Sequence, residues 1–159
     1  AYFLKNAEAR INELSGKTVG VIDLTMGYNH VRTISMLHDY SPDARAYYAS
    51  VESSVDVVYP LVYAFFFAII LVLLYRKNRF GVPDWIVVLP FVAQVFDYIE
   101  NYFIVKLLTQ FPTISDTNVA LCETAKFIKW AVFFVILLLV LYGVVRNIVQ
   151  RFSQSKAGV

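Results

Sequence analysis

Three apolar runs of about 20 residues each, at 57–75, 85–108 and 127–145, most constrain what this chain can become. Each is long enough to cross a hydrocarbon core about 30 Å thick as a single helix. The competing arrangement, buried helices of a water-soluble core, needs polar sequence to cover them, and 159 residues leave too little. Apolar residues make up 58% and charged residues 16%, where soluble domains carry about 45–50% and about 25%. Those proportions exclude a disordered chain and an ordinary cytosolic enzyme. A single cysteine, Cys122, excludes a disulfide scaffold. A net charge of +2 offers no footprint for nucleic acid. The 11 Tyr and 13 Phe suit a chain that meets lipid and its interface. The expected fold class is all-α: a polytopic transmembrane helical bundle with three spans visible.

Lys and Arg orient those spans. Arg76, Lys77 and Arg79 sit in the short loop after the first run, and Arg146, Arg151 and Lys156 follow the third. The loop 109–122 holds Asp116 and no Lys or Arg. The positive-inside rule places the RKNR loop and the C-terminus on the cytoplasmic side, or its matrix or stromal equivalent, and residues 1–56 on the outer side. An outer N-terminus with no signal sequence implies a transmembrane helix preceding Ala1, and so four helices in the parent. The expected organisation is an outer-side helical segment (1–56) leading into span one, the transmembrane helices (57–148) and a cytoplasmic-side tail (149–159).

The outer segment carries its own local signals. Residues 2–14 read as a helix stopped by Gly16, and 19–24 as a short extended run. Asn29 is placed to cap a helix over 30–38. Ser41-Pro42-Asp43 marks a further helix start, with a capping hydroxyl, a proline in the first turn and an acid at the positive end of the dipole. That helix is expected to run unbroken into span one, with a kink near Pro60.

Ionisable side chains at mid-span cost about 2.5–3.5 kcal/mol on insertion scales, so they face a bundle interior and find partners. Gln94, Asp97, Glu100 and Asn101 share one face of span two by their offsets of three and four. Arg45, Tyr48, Glu52, Asp56, Tyr59 and Tyr63 form a polar-aromatic stripe at the same spacing, and span three adds Glu123, Lys126, Lys129 and Trp130. With Arg76, Asp84 and Arg146 taken as level, Asp56 and Lys126 lie roughly 30 Å away at a rise of about 1.5 Å per residue. On the same rise Tyr59, Glu100 and Lys129 lie roughly 25 Å away, and Tyr63 and Asp97 roughly 20 Å. The candidate buried cluster is therefore Arg45, Asp56, Tyr59, Tyr63, Asp97, Glu100, Asn101, Lys126 and Lys129.

This cluster has two readings. In one, Asp56–Lys126 and Glu100–Lys129 are ion pairs that fix helix register and rotation. In the other, Asp97 and Glu100 line a cavity that binds a polar headgroup or moves a proton, with burial and the lysines tuning their acidity. His30 and His38 lack partners at zinc spacing, so no metal is expected. There is no serine elbow, HExxH or phosphate-binding glycine loop, and no cofactor is expected.

The order Asp23-Leu24, Gly27-Tyr28, Arg45-x-x-Tyr48, Asp56-x-x-Tyr59-Pro60-x-x-Tyr63, Asp97-x-x-Glu100-Asn101 and Lys129-Trp130 resembles an uncharacterised family of small four-helix integral membrane proteins. The resemblance spans almost the whole chain and implies a helix before Ala1. It carries no activity, cofactor or partner. The emopamil-binding and sigma-2-receptor group, which sets intramembrane carboxylates around a sterol-like ligand, is similar in architecture alone. The leading functional expectation is an accessory or structural subunit packed against a larger membrane assembly or lipid. The alternative is a protein that binds a lipid or sterol-like ligand, or an intramembrane enzyme, using the Asp/Glu/Lys cluster. Expected partners are membrane lipids and other membrane-protein subunits, without nucleic acid.

Overall fold

The computed structural model describes residues 2–27, 29–76 and 82–157. Ala1, Tyr28 of the Gly-Tyr pair and residues 77–81, with the orienting Lys77 and Arg79, lie outside them. Among the described residues the regular structure is helical, with no strand. The N-terminal segment holds α1 (Tyr2–Ser15), α2 (His30–Asp39) and α3 (Pro42–Glu52), and the long helices are α4 (Val55–Tyr75), α5 (Leu89–Gln110) and α6 (Asp116–Ala157). Three stretches, Pro42–Tyr75, Asp84–Gln110 and Asp116–Gln150, are long and apolar enough to span a membrane.

The local signals act at the segment's turns. Gly16 leaves α1 at φ 68°, where a side chain would be strained. The Asn29 side chain accepts from Arg32 N at 2.9 Å and the Ser41 hydroxyl from Ala44 N at 3.1 Å, each satisfying a backbone donor that a helix start leaves open. The expected extended run at 19–24 is corrected: its end, Ile22–Leu24, is a turn of 3₁₀ helix. No strand lies alongside it, so its backbone turns to side chains. Val19 N donates to Asn12 Oδ1 at 2.8 Å, and Asp23 N to the Tyr48 hydroxyl at 3.3 Å.

The expectation of one unbroken helix into span one is also corrected. α3 ends at Glu52 and α4 starts at Val55. Ser53 Oγ donates to Ala49 O at 2.7 Å and Ser54 Oγ to Ser50 O at 2.6 Å, so two consecutive hydroxyls draw on the carbonyl ladder. Ser54 leaves the helical region altogether, at φ −125° and ψ −72°. Beyond this break Pro60 lies inside α4 and lacks the N–H that would meet Asp56 O. That carbonyl instead accepts from Asn101 Nδ2 at 3.1 Å, and the neighbouring Val57 O from the Tyr98 hydroxyl at 2.9 Å. α5 thus satisfies the backbone that the proline opens.

α5 packs between α4 and α6 and also meets α3. Toward the Tyr75 end the core is apolar and close-fitting, with Leu71, Tyr75 and Ile86 buried together. A Cβ at Gly143 of α6 would stand 3.1 Å from Leu74 Cδ1 and 3.2 Å from the Tyr75 ring, so only a glycine lets these helices approach without a shift. The Tyr75 hydroxyl donates to Leu139 O at 2.8 Å, and Asn147 Nδ2 to Leu74 O at 3.2 Å. At the other end the N-terminal segment closes over the helices, burying Ile22, Leu37, Tyr40 and Tyr48 against Ile104, Leu107 and Cys122. Tyr40 donates to Gly20 O there, and burial holds its phenol above the ordinary range, so it stays a donor.

Candidate functional site

Four mid-helix polar residues of α5 face inward. Gln94, Asp97, Glu100 and Asn101 are all buried, and Glu100 is fully enclosed. Lys129 reaches from α6 between the two acids, with Nζ 3.1 Å from Asp97 Oδ1 and 2.5 Å from Glu100 Oε2. The Tyr63 hydroxyl of α4 donates to the other Asp97 oxygen at 2.8 Å. The Tyr63–Asp97 and Glu100–Lys129 layers therefore coincide with those reached by counting residues along antiparallel helices.

Lys126 departs from its expected pairing with Asp56. Its Nζ stands 3.6 Å from Glu100 Oε1 and donates to Thr25 O at 2.8 Å and to Ile22 O. Both carbonyls belong to the loop of the N-terminal segment, which Glu123 also holds by accepting from Gly27 N at 2.6 Å. The loop crosses the bundle where Asp56 had been placed as the partner.

Asp56 contributes its carbonyl to Asn101, and its carboxylate faces a cavity of about 340 Å³ enclosed by α4, α5, α6 and the Asp23-Leu24 turn. One part of the wall is polar, built by Asp23, Asp56, Asp97, Asn101 and Lys129. The rest is mainly aromatic, with Tyr59, Tyr63, Phe67, Trp130 and Phe133. Tyr59 is 52% exposed and stacks edge-on against Tyr63 at 5.8 Å, so it stands at the rim. Trp130 lies 5.8 Å from Lys129 Nζ and 6.1 Å from the Phe133 ring.

Of the nine candidates, eight gather around this cavity or its supporting ion pairs. Arg45 lies apart. It donates to Leu37 O at 3.0 Å and Tyr40 O at 2.6 Å, closing the end of α2, and covers the Phe111 ring at 4.7 Å. The nine candidates omit Asp23, Glu52, Trp130 and Phe133. Glu52 shared the four-residue spacing of the stripe, and Trp130 adjoined a candidate lysine. Asp23 stands first in the resemblance pattern, but its place at the cavity depends on how the segment folds back.

The chemistry available is that of a preformed amphipathic pocket, with carboxylates, an amide, an ammonium and aromatic rings in its lining. Lys129 is held by two acids and is committed to them. No family model, curated protein or solved structure matches this chain.

Proposed function

We propose that this is an integral membrane protein whose α4–α5–α6 bundle holds one amphipathic, lipid-like ligand. The 340 Å³ cavity, lined by both charged and aromatic side chains, carries the reading. Its volume falls within the range of small-molecule sites, about 300–1,000 Å³, and its mixed polar and aromatic lining suits a molecule with a head and a chain. The three long apolar stretches support membrane insertion, and the Lys/Arg distribution supports a cytoplasmic placement of the 76–79 loop and the C-terminus. The Asp97–Lys129–Glu100 ion pairs and Tyr63 then hold the polar wall in position rather than carry out chemistry.

A second reading is an accessory subunit of a larger membrane assembly. It is favoured by the aromatic ridge of α4, where Phe65 and Phe66 are 52% and 57% exposed. Native mass spectrometry of the chain purified from its own membrane in mild detergent separates the two. The ligand reading expects the mass of the chain, or a simple multiple, with a lipid-sized adduct that is lost on replacing Phe133 by Trp to fill the cavity. A hetero-complex of fixed stoichiometry without an adduct overturns it in favour of the subunit reading.

A further inference from the structure

Acidic and basic side chains do not balance in number around the cavity. Lys126 and Lys129 are answered by Asp97 and Glu100. Asp23, Glu52 and Asp56 remain, and none of the three has a Lys, Arg or His within ion-pair distance among the described residues. Asp23 accepts from the Tyr48 hydroxyl at 2.5 Å, which is a neutral partner. Glu52 is 1% exposed, and its Oε2 has no hydrogen-bond partner.

These residues surround a second space. A cavity of about 200 Å³ between α1, α3 and the Ile22–Leu24 turn is walled by Glu8, Asp23, Glu52 and Asp56, with no basic side chain in its lining among those described. Asp23, Leu24 and Asp56 wall this cavity and the 340 Å³ cavity alike, so the acidic space adjoins the aromatic one. A buried carboxyl without a counter-charge is neutralised by taking up a proton, and Glu52 sits beside a preformed space in which an ammonium would supply the counter-charge instead.

From this arrangement we infer that the ligand carries a positively charged amine, seated among Asp23, Glu52 and Asp56, with its hydrocarbon chain along Trp130, Phe133 and Phe67. The ligand class is a long-chain or lipid amine. This inference rests on the ligand reading above and adds the sign of the head. Among the described residues no group of three or more His, Cys, Asp or Glu side chains has the geometry to hold a metal ion. An ammonium needs less exact placement: it donates in three directions and accepts carboxylates at varied angles. The aromatic wall supplies the apolar surface that a bare cation would leave unused.

Trp130 reports on the cavity directly. With Trp85→Phe it becomes the chain's remaining tryptophan, and its emission is followed in phosphatidylcholine nanodiscs while dodecylamine, dodecanol or dodecanoate is added. An alkylamine resembles lysine, with a pKa near 10, and is charged at neutral pH. The expected result is saturable binding of dodecylamine at a concentration about tenfold or more below that of dodecanol, the gain of one charge-assisted contact, with dodecanoate weakest. Glu52→Gln and Asp56→Asn should each remove most of that preference of amine over alcohol. Asp56 is only partly buried, so its variant keeps the test available if Glu52→Gln fails to fold. Equal midpoints for amine and alcohol overturn the ammonium assignment and leave the cavity standing. An amine preference that survives both substitutions overturns the choice of carboxylates. Absence of saturation by all three probes removes the ligand cavity itself, and the inference with it.

Discussion

The two ends of the α4–α5–α6 bundle are held together by opposite means. At the Tyr75 end, α4 and α6 meet over a glycine, and hydroxyl and amide donors tie one helix to the other's backbone. At the Asp97 end, two lysines and two acids stand where close-packed apolar side chains would otherwise be. The first solution leaves no space between helices. The second holds the helices apart at fixed distances, and a cavity opens beside the ion pairs. The difference teaches that polar groups in this chain maintain a space that apolar packing would close.

The strongest way to break the comparison is to remove the central cation. Lys129→Met should destabilise the fold by about 3–5 kcal/mol, because two buried carboxylates lose their shared partner. Thermal unfolding in detergent measures this, and adding Asp97→Asn and Glu100→Gln to the same chain should recover most of the loss. A Lys129→Met variant as stable as the parent would show that the ion pairs do not hold the polar end. At the opposite end, Gly143→Leu should cost about 1–3 kcal/mol by forcing α6 away from Leu74 and Tyr75, with Gly143→Ala milder in the same assay.

A third substitution sharpens the contrast. Asn101→Leu should cost about 1–3 kcal/mol by leaving Asp56 O without a donor. In a Pro60→Ala background the restored N–H takes that carbonyl, so the cost should fall close to zero. A double-mutant cycle showing no coupling between residues 60 and 101 would remove this account of Asn101. The smallest effect belongs to Tyr75→Phe, about 0.5–1.5 kcal/mol for one hydrogen bond to Leu139 O, and it should leave ligand retention in native mass spectrometry unchanged.

Much of this architecture is legible in residue order. The three apolar runs locate the long helices because length and composition are properties of the chain itself. Counting along antiparallel helices also pairs Tyr63 with Asp97 and Glu100 with Lys129, since helical rise is nearly constant. Lys126 escapes that count because its acceptors are the main-chain oxygens of residues 22 and 25, and a backbone carbonyl looks the same at every position of a sequence. The Ser53–Ser54 break escapes because serine hydroxyls are tolerated in helices until two in succession turn on the ladder. The cavity escapes for a more general reason: it is a place where side chains are absent, and Asp23 reaches its wall through a fold-back of the chain.

Lys126 also ties the N-terminal segment to the long helices. Its ammonium meets a carboxylate of α5 and two carbonyls of the N-terminal segment at residues 22 and 25. Without that segment the fully buried cation of α6 loses these two acceptors. The N-terminal segment is thus the keystone of the bundle, and trimming it would loosen helices to which it does not belong.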